Sequence, residues 1–163
     1  MEYKFMARKV FFSFCWDDNW AVNQIRNIGT FETTNKKFTD HADIEAVKRS
    51  SDESIKRWIN EQLDGASVTC VLIGSDTSDS KWVRYEIDRS LERRMGVFGI
   101  FIHKIKHRNG LTTPKGHNPF YRLVNMNLNA YDPSIECNAS TAYECIYDNI
   151  EKWIEKAAKQ AGR

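Results

Sequence analysis

A chain of 163 residues, 41% hydrophobic and 28% charged, is long enough for one domain with a real core and too apolar for disorder. Its formal net charge of +2 argues against the concentrated basic surface of a nucleic-acid binder; residues 104–108 and the arginines within 84–94 read as solvated faces. Residues 1–9 hold no apolar run ahead of a small-residue cleavage site, and no apolar stretch reaches membrane-spanning length. Cys15, Cys70, Cys137 and Cys145 show no Cys-x-x-Cys spacing, so no metal site is expected, and the chain is expected to be cytoplasmic with reduced thiols.

Lys9–Phe14 is a continuous apolar, β-rich run, the pattern of a strand covered on both faces. Asp17 or Asp18 can then cap a helix carrying Ala21, Ile25 and Ile28 at helical spacing. Residues 29–40 are polar and ambiguous, with a short second strand expected at 37–40. Ser50-Ser51-Asp52-Glu53 has the form of a capping box, Ser50 accepting from the first turn and Glu53 reaching back. The helix it opens places Ile55, Ile59 and Leu63 on one side, and Gly65 suits the left-handed residue that ends it.

Val68–Ile73 reads as another buried strand, closed by Gly74. Residues 78–80 offer the next helix cap, followed by the stripe Val83, Ile87 and Leu91. Residues 97–102 form a third apolar run, a long loop follows over 103–120, and a last short strand is expected within 123–132. Thr141-Ala142-Tyr143-Glu144 is a second capping box, opening a helix with Tyr143, Ile146, Tyr147, Ile150, Trp153, Ile154 and Ala157 on one side. Alternating strands and helices predict a doubly wound α/β fold, a mainly parallel sheet with helices on both faces, spanning 1–163 as a single domain.

Open parallel sheets bind ligands outside the carboxyl ends of their strands. Ser13, Phe14, Cys15, Trp16, Asp17 and Asp18 follow the first strand, Gly74, Ser75 and Asp76 the second clear one, and His103 the third. Trp82 and Glu86 stand four apart on one helical face, with Glu86 beside the core residue Ile87. From spacing alone, Glu86 is either a carboxylate facing the crevice or a surface group paired with Arg89 or Lys81.

Val10-Phe11-Phe12-Ser13-Phe14 followed by Asp17, then residues 67–74 and Trp82-x-x-x-Glu86, resembles the TIR-like domain. More closely, residues 8–14, 67–74, 81–87 and 99–103 are similar to the microbial TIR-like family of the Thoeris antiphage-defence proteins. Ser54-Ile55-Lys56-Arg57-Trp58-Ile59 and Asn118-Pro119-Phe120 fit the same pattern, so the resemblance runs from Arg8 to Phe120. It implies a flavodoxin-like, TIR-like sheet. It also implies cleavage of the nicotinamide–ribose bond of NAD, a substrate rather than a cofactor, yielding nicotinamide and a cyclic or otherwise modified ADP-ribose signal. Glu86 takes the catalytic position in that resemblance, Ser13, Phe14 and Asp17 line the nucleotide pocket, and Trp82 forms a wall of it. His103 is a candidate pocket residue by position alone. Self-association, a phage-derived trigger and a downstream effector that responds to the nucleotide are the partners it implies; neither nucleic acid nor a membrane is among them. Residues 29–40, where TIR domains carry a loop that closes over the nucleotide, match no pattern.

The implied chemistry suits one carboxylate. Losing nicotinamide makes the ribose oxocarbenium-like, and a nearby carboxylate stabilises the developing charge. The leaving group is cationic and departs neutral, so it needs no strong general acid. Other α/β readings fit less well. A response-regulator receiver needs a further βα unit between Asp76 and Lys104, and Phe14-Cys15-Trp16-Asp17-Asp18 is not the Gly-rich turn of a flavin, P-loop or dinucleotide site. Gly-x-Ser-x-Gly is absent. A nucleoside deoxyribosyltransferase-like activity and a catalytically silent TIR-like adaptor or sensor, acting by protein association, stay open.

Overall fold

The computed structural model describes residues 7–29, 31–34 and 49–163. β1 (Lys9–Phe14) runs through a 3-10 turn (Trp16–Asp18) into α1 (Asn19–Arg26), and β2 is Glu32–Thr33. α2 (Asp52–Leu63), β3 (Val68–Ile73), α3 (Lys81–Glu92) and β4 (Gly96–Phe101) follow. β5 (Ala130–Tyr131), α4 (Pro133–Glu136) and α5 (Ala142–Gln160) complete the order. All pairings are parallel, in the order β2-β1-β3-β4-β5. The chain moves outward from β1 to β2 and then returns past β1 to β3, so the strand order reverses between β1 and β3. Sheets of this kind bind ligands at the carboxyl side of that reversal.

Period-two alternation divides the sheet's side chains between two layers. Val10, Phe12, Cys70, Leu72, Phe98 and Ile100 pack with α1 and α5 through Ala21, Ile25, Ile146, Ile150 and Ile154. On the opposite face, Phe11 meets Ile55, Ile59 and Leu63 of α2, while Val71, Ile73, Val97 and Phe101 meet Val83 and Ile87 of α3. Tyr131 stacks on Trp153 with centroids 4.3 Å apart, tying the edge strand to α5. Gly96 lets α5 approach β4 closely, since a Cβ there would lie 2.5 Å from the Ala157 carbonyl oxygen.

Several expectations need correction. The second strand is Glu32–Thr33; the expected strand at 37–40 lies outside the described residues. α2 is capped one residue later than expected, Ser51 Oγ accepting from Ser54 N at 3.3 Å. Asp18 occupies the N-cap position of α1 without a side-chain capping bond. β4 starts and ends one residue earlier than its apolar run, because Gly96 extends the pairing with Val68. Tyr147 is exposed although it was placed on the core side of α5. Cys137 and Cys145 form a disulfide, contrary to the expected reduced thiols, while Cys15 and Cys70 are free. α4 was not anticipated; Asp132 caps it by accepting from Ser134 N, and Pro133 occupies its first turn. Among the described residues no helix is long and apolar enough to cross a membrane.

Candidate functional site

Glu86 is positioned by the start of its helix. Ser80 Oγ accepts from Val83 N at 3.3 Å and sets where α3 begins. Val83 and Ile87 then anchor α3 on the sheet, and Glu86 turns toward β1. Ser13 shares the face of Phe11, the one covered by α2 and α3, and stands beside Val71 of β3. Its hydroxyl donates to Glu86 Oε2 at 2.5 Å. Both are interior, Ser13 at 0% and Glu86 at 6% exposure. The surface pairs that spacing left open are not formed: Arg89 bonds Asn60 and Glu92, and Lys81 bonds Asp52.

Burial raises the Glu86 carboxyl to about 8, against the opposing pull of the Ser13 hydrogen bond. At neutral pH the resting group therefore holds its proton. This displaced carboxyl lies at the carboxyl end of β1, beside the strand reversal where sheets of this kind bind ligands, which makes it the candidate for chemistry here.

The remaining candidates are spread around this pair. Phe14 packs with the α1/α5 layer, on the face opposite Ser13. Asp17 is exposed in the 3-10 turn beyond β1. Trp82 is half-buried one helical turn before Glu86, packs against the layer of Phe11 and α2, and stands edge-on to Tyr85 at 6.1 Å. Of the predicted residues, the structure thus brings Ser13 and Glu86 into contact.

Two more of the residues that the sequence placed after β1, Asp18 and Cys15, had been given no role in the site. Asp18 fills the space beside Gly74 at the tip of β3, where an added Cβ would lie 2.2 Å from Asp18 Oδ2. Burial, then the neighbouring charges of Asp17 and Asp76, raise the Asp18 carboxyl to about 6. Burial, with Asp18 next, lifts the Cys15 thiol to about 11, so it is no nucleophile at neutral pH. The only sequence signal was an Asp-Asp pair after one strand and a glycine after the next. Among the described residues no group of three or more His, Cys, Asp or Glu is arranged to hold a metal ion.

His103 belongs to a different cluster. Its Nε2 lies 3.9 Å from Asp132 Oδ1 beyond the β4–β5 edge. Burial lowers the imidazole, with Lys115 and Lys104 adding to the effect against Asp132, which disfavours its charged form. Burial alone would raise Asp132, but bonds from Lys115 Nζ (2.7 Å) and from Ser134 hold it below its ordinary value. The 103–120 loop is strapped across the strand tips: Thr113 N donates to the His103 carbonyl at 3.3 Å and Ser75 Oγ to that of Pro114 at 3.2 Å. Gly116 lies against the backbone of Gly74, where an added Cβ would stand 1.9 Å from the Gly74 carbonyl oxygen. Gly116→Ala is therefore expected to lower stability by about 1–3 kcal/mol, as overpacking does. Urea unfolding checks this; an unchanged midpoint would mean that the strap is not seated on Gly74.

Clefts of about 480 and 400 Å³ open elsewhere, one lined by Met95, Gly96 and Val97 and the other by Thr141, Ala142 and Tyr143. Neither is lined by Ser13 or Glu86.

Residues 11–107 match the family described as "Thoeris protein ThsB, TIR-like domain". A Bacillus cereus (strain MSX-D12) protein named "Putative cyclic ADP-D-ribose synthase ThsB1" is 42% identical over 119 residues, 71% of this chain and 62% of the relative. The matched part thus spans less than two thirds of that relative's length. The sheet order and these matches agree, and the chain belongs to the Thoeris ThsB TIR-like family.

Proposed function

We propose that the chain cleaves the nicotinamide–ribose bond of NAD and releases nicotinamide with a cyclic or otherwise modified ADP-ribose, a signal in antiphage defence read by a downstream effector. The observation that carries this reading is the buried Ser13–Glu86 pair at the carboxyl end of β1. The name of the Bacillus cereus relative, which specifies a cyclic ADP-ribose synthase, supports the same class of reaction.

Resting Glu86 holds its proton, and the positive charge of the bound substrate favours its release. A nicotinamide cation within about 4–6 Å favours the ionised carboxyl, so docking NAD drives the proton to solvent. The carboxylate then faces the ribose as the C–N bond lengthens and positive charge grows on the sugar. Nicotinamide leaves neutral. Ser13 steadies the carboxylate through its hydroxyl, while Asp17 and Trp82 border the nucleotide. Phe14 supports the strand end from the other layer, and His103 acts in holding the strap.

Chromatography of NAD incubated with the protein, purified from cells challenged with phage, tests the reading by looking for nicotinamide and an ADP-ribose product. Deoxynucleosides serve as the competing substrate. Transfer of a deoxyribosyl group with NAD untouched would overturn the proposal. A second reading, association without turnover, is favoured by the exposed Tyr121 and Val124; it predicts defence that survives loss of the Glu86 carboxyl.

A further inference from the structure

Residue 86 is anchored twice, once by its side chain and once by its backbone. The side chain accepts from Ser13 of β1. The backbone carbonyl accepts from Ser90 Oγ at 2.6 Å, one helical turn later. Ser90 Oγ is in turn 2.7 Å from Thr69 Oγ1 of β3. Since the Ser90 proton is committed to the Glu86 carbonyl, Thr69 is the donor in that second bond. The run Thr69→Ser90→Glu86 is thus directional, and Thr69 and Ser90 are each at 0% exposure.

The sheet register shows what the second anchor does. Ser13 lies beside Val71, and Thr69 is two residues earlier on β3, on the same face. One bond therefore holds the carboxyl to the tip of β1, and the other holds the same turn of α3 to the middle of β3. Together they fix both the height and the rotation of the helix at the residue that carries the carboxyl. A helix-interior serine bonded back to the fourth preceding carbonyl slightly destabilises and often bends its helix, and alanine is the better helix former. Alanine at 90 and valine at 69 would fill much the same space without the two hydroxyls.

We infer that Thr69 and Ser90 are positioning residues, which hold the Glu86 turn of α3 on β3 so that the Glu86 carboxyl stays at the reacting ribose. The inference rests on the proposed role of Glu86. Neither hydroxyl touches the substrate, and neither transfers a proton to it. Their effect is geometric, and displacement of a reacting group by an ångström can lower a rate by about 10²-fold.

The experiment compares Thr69→Val, Ser90→Ala, the double variant, and the conservative Thr69→Ser and Ser90→Thr. The double variant removes both partners, and the Glu86 carbonyl keeps its helical acceptor role toward the Ser90 amide, so no buried group is stranded and near-wild-type stability is expected. Its kcat is expected to fall by roughly 10–100-fold with KM unchanged, and the conservative variants are expected to recover most of that loss. A double variant with wild-type kcat would overturn the inference, as would a loss confined to stability.

A readout independent of turnover separates this result from failure of the NAD reading itself. Ionisation of Glu86 can be followed as the pH dependence of the stability difference between Glu86 and Glu86→Gln proteins. Repeated with Ser90→Ala in both, its midpoint is expected to move by about half a pH unit or more, as the carboxyl leaves its present surroundings. An unmoved midpoint means that the carboxyl has not shifted, and sinks the positioning role whether or not the chain consumes NAD. Wild-type turnover by Glu86→Gln alongside a moved midpoint sinks the role of Glu86 in the reaction and leaves the anchorage standing.

Discussion

Glu86→Gln is expected to lower NAD turnover by about 10²–10³, the equivalent of ~3–4 kcal/mol of transition-state stabilisation. Glutamine has the same shape and keeps a bond with Ser13, but it cannot become an anion as the ribose becomes cationic. The carboxylate attracts both the bound nicotinamide cation and the charge that grows on the ribose, so kcat should fall, KM should rise, and kcat/KM should fall further than kcat. The pH profile gives a second check. The free protein must lose the Glu86 proton, so kcat/KM should rise with pH and level off above about 8. In the complex the nicotinamide cation favours the ionised form, so the kcat profile should be displaced toward lower pH. Initial rates for both proteins across this range decide the matter, and equal turnover would remove Glu86 from the mechanism.

The same substitution is expected to stabilise the protein, increasingly as pH rises. The ordinary value for this carboxyl is 4.5, and the fold raises it to about 8. Below the first value both folded and unfolded chains hold the proton, and Glu86 adds no pH dependence. Between the two values the unfolded chain releases the proton and the folded one retains it, so stability falls by about 1.4 kcal/mol per pH unit. Above about 8 both states are ionised and the decline stops. Glutamine does not titrate. Its advantage should be on the order of 3 kcal/mol at pH 7 and close to nothing at pH 4.5, measured by urea unfolding at several pH values. A constant difference across the range would show that Glu86 ionises freely in the folded state. The two expectations together describe a residue retained against folding stability, as occurs where activity needs a strained or desolvated group.

The core strands and long helices were legible because their apolar patterns are long. Lys9–Phe14 and Val68–Ile73 carry six-residue runs and were bounded correctly, and Ile55, Ile59 and Leu63 sit where their spacing put them. β2 was not, because two residues, Glu32 and Thr33, cannot display a period. The cap of α2 moved from Ser50 to Ser51 because two adjacent serines offer the same chemistry and the first-turn geometry chooses between them. Tyr147 was assigned to the core from a stripe that is wider in sequence than the sheet can cover.

For the site, helical spacing put Glu86 beside the core, but its contact with Ser13 depends on which strands neighbour one another and in what register. No local pattern carries that information. The contact of His103 with Asp132 had the same origin. All strand tips look alike in sequence, whereas β4 and its loop bring His103 to Asp132 beyond β5.

The Cys137–Cys145 link lies in the layer formed by α1 and α5, and the Ser13–Glu86 pair lies in the layer formed by α2 and α3. Between them stands the sheet, which acts as an insulating partition. Opening the link with a thiol reductant should loosen the entry to α5 and lower the melting temperature, while the rate of NAD consumption stays the same. A lowered melting temperature with an unchanged rate is the expected result, and it would mean that one half of the molecule can answer to its environment without informing the other.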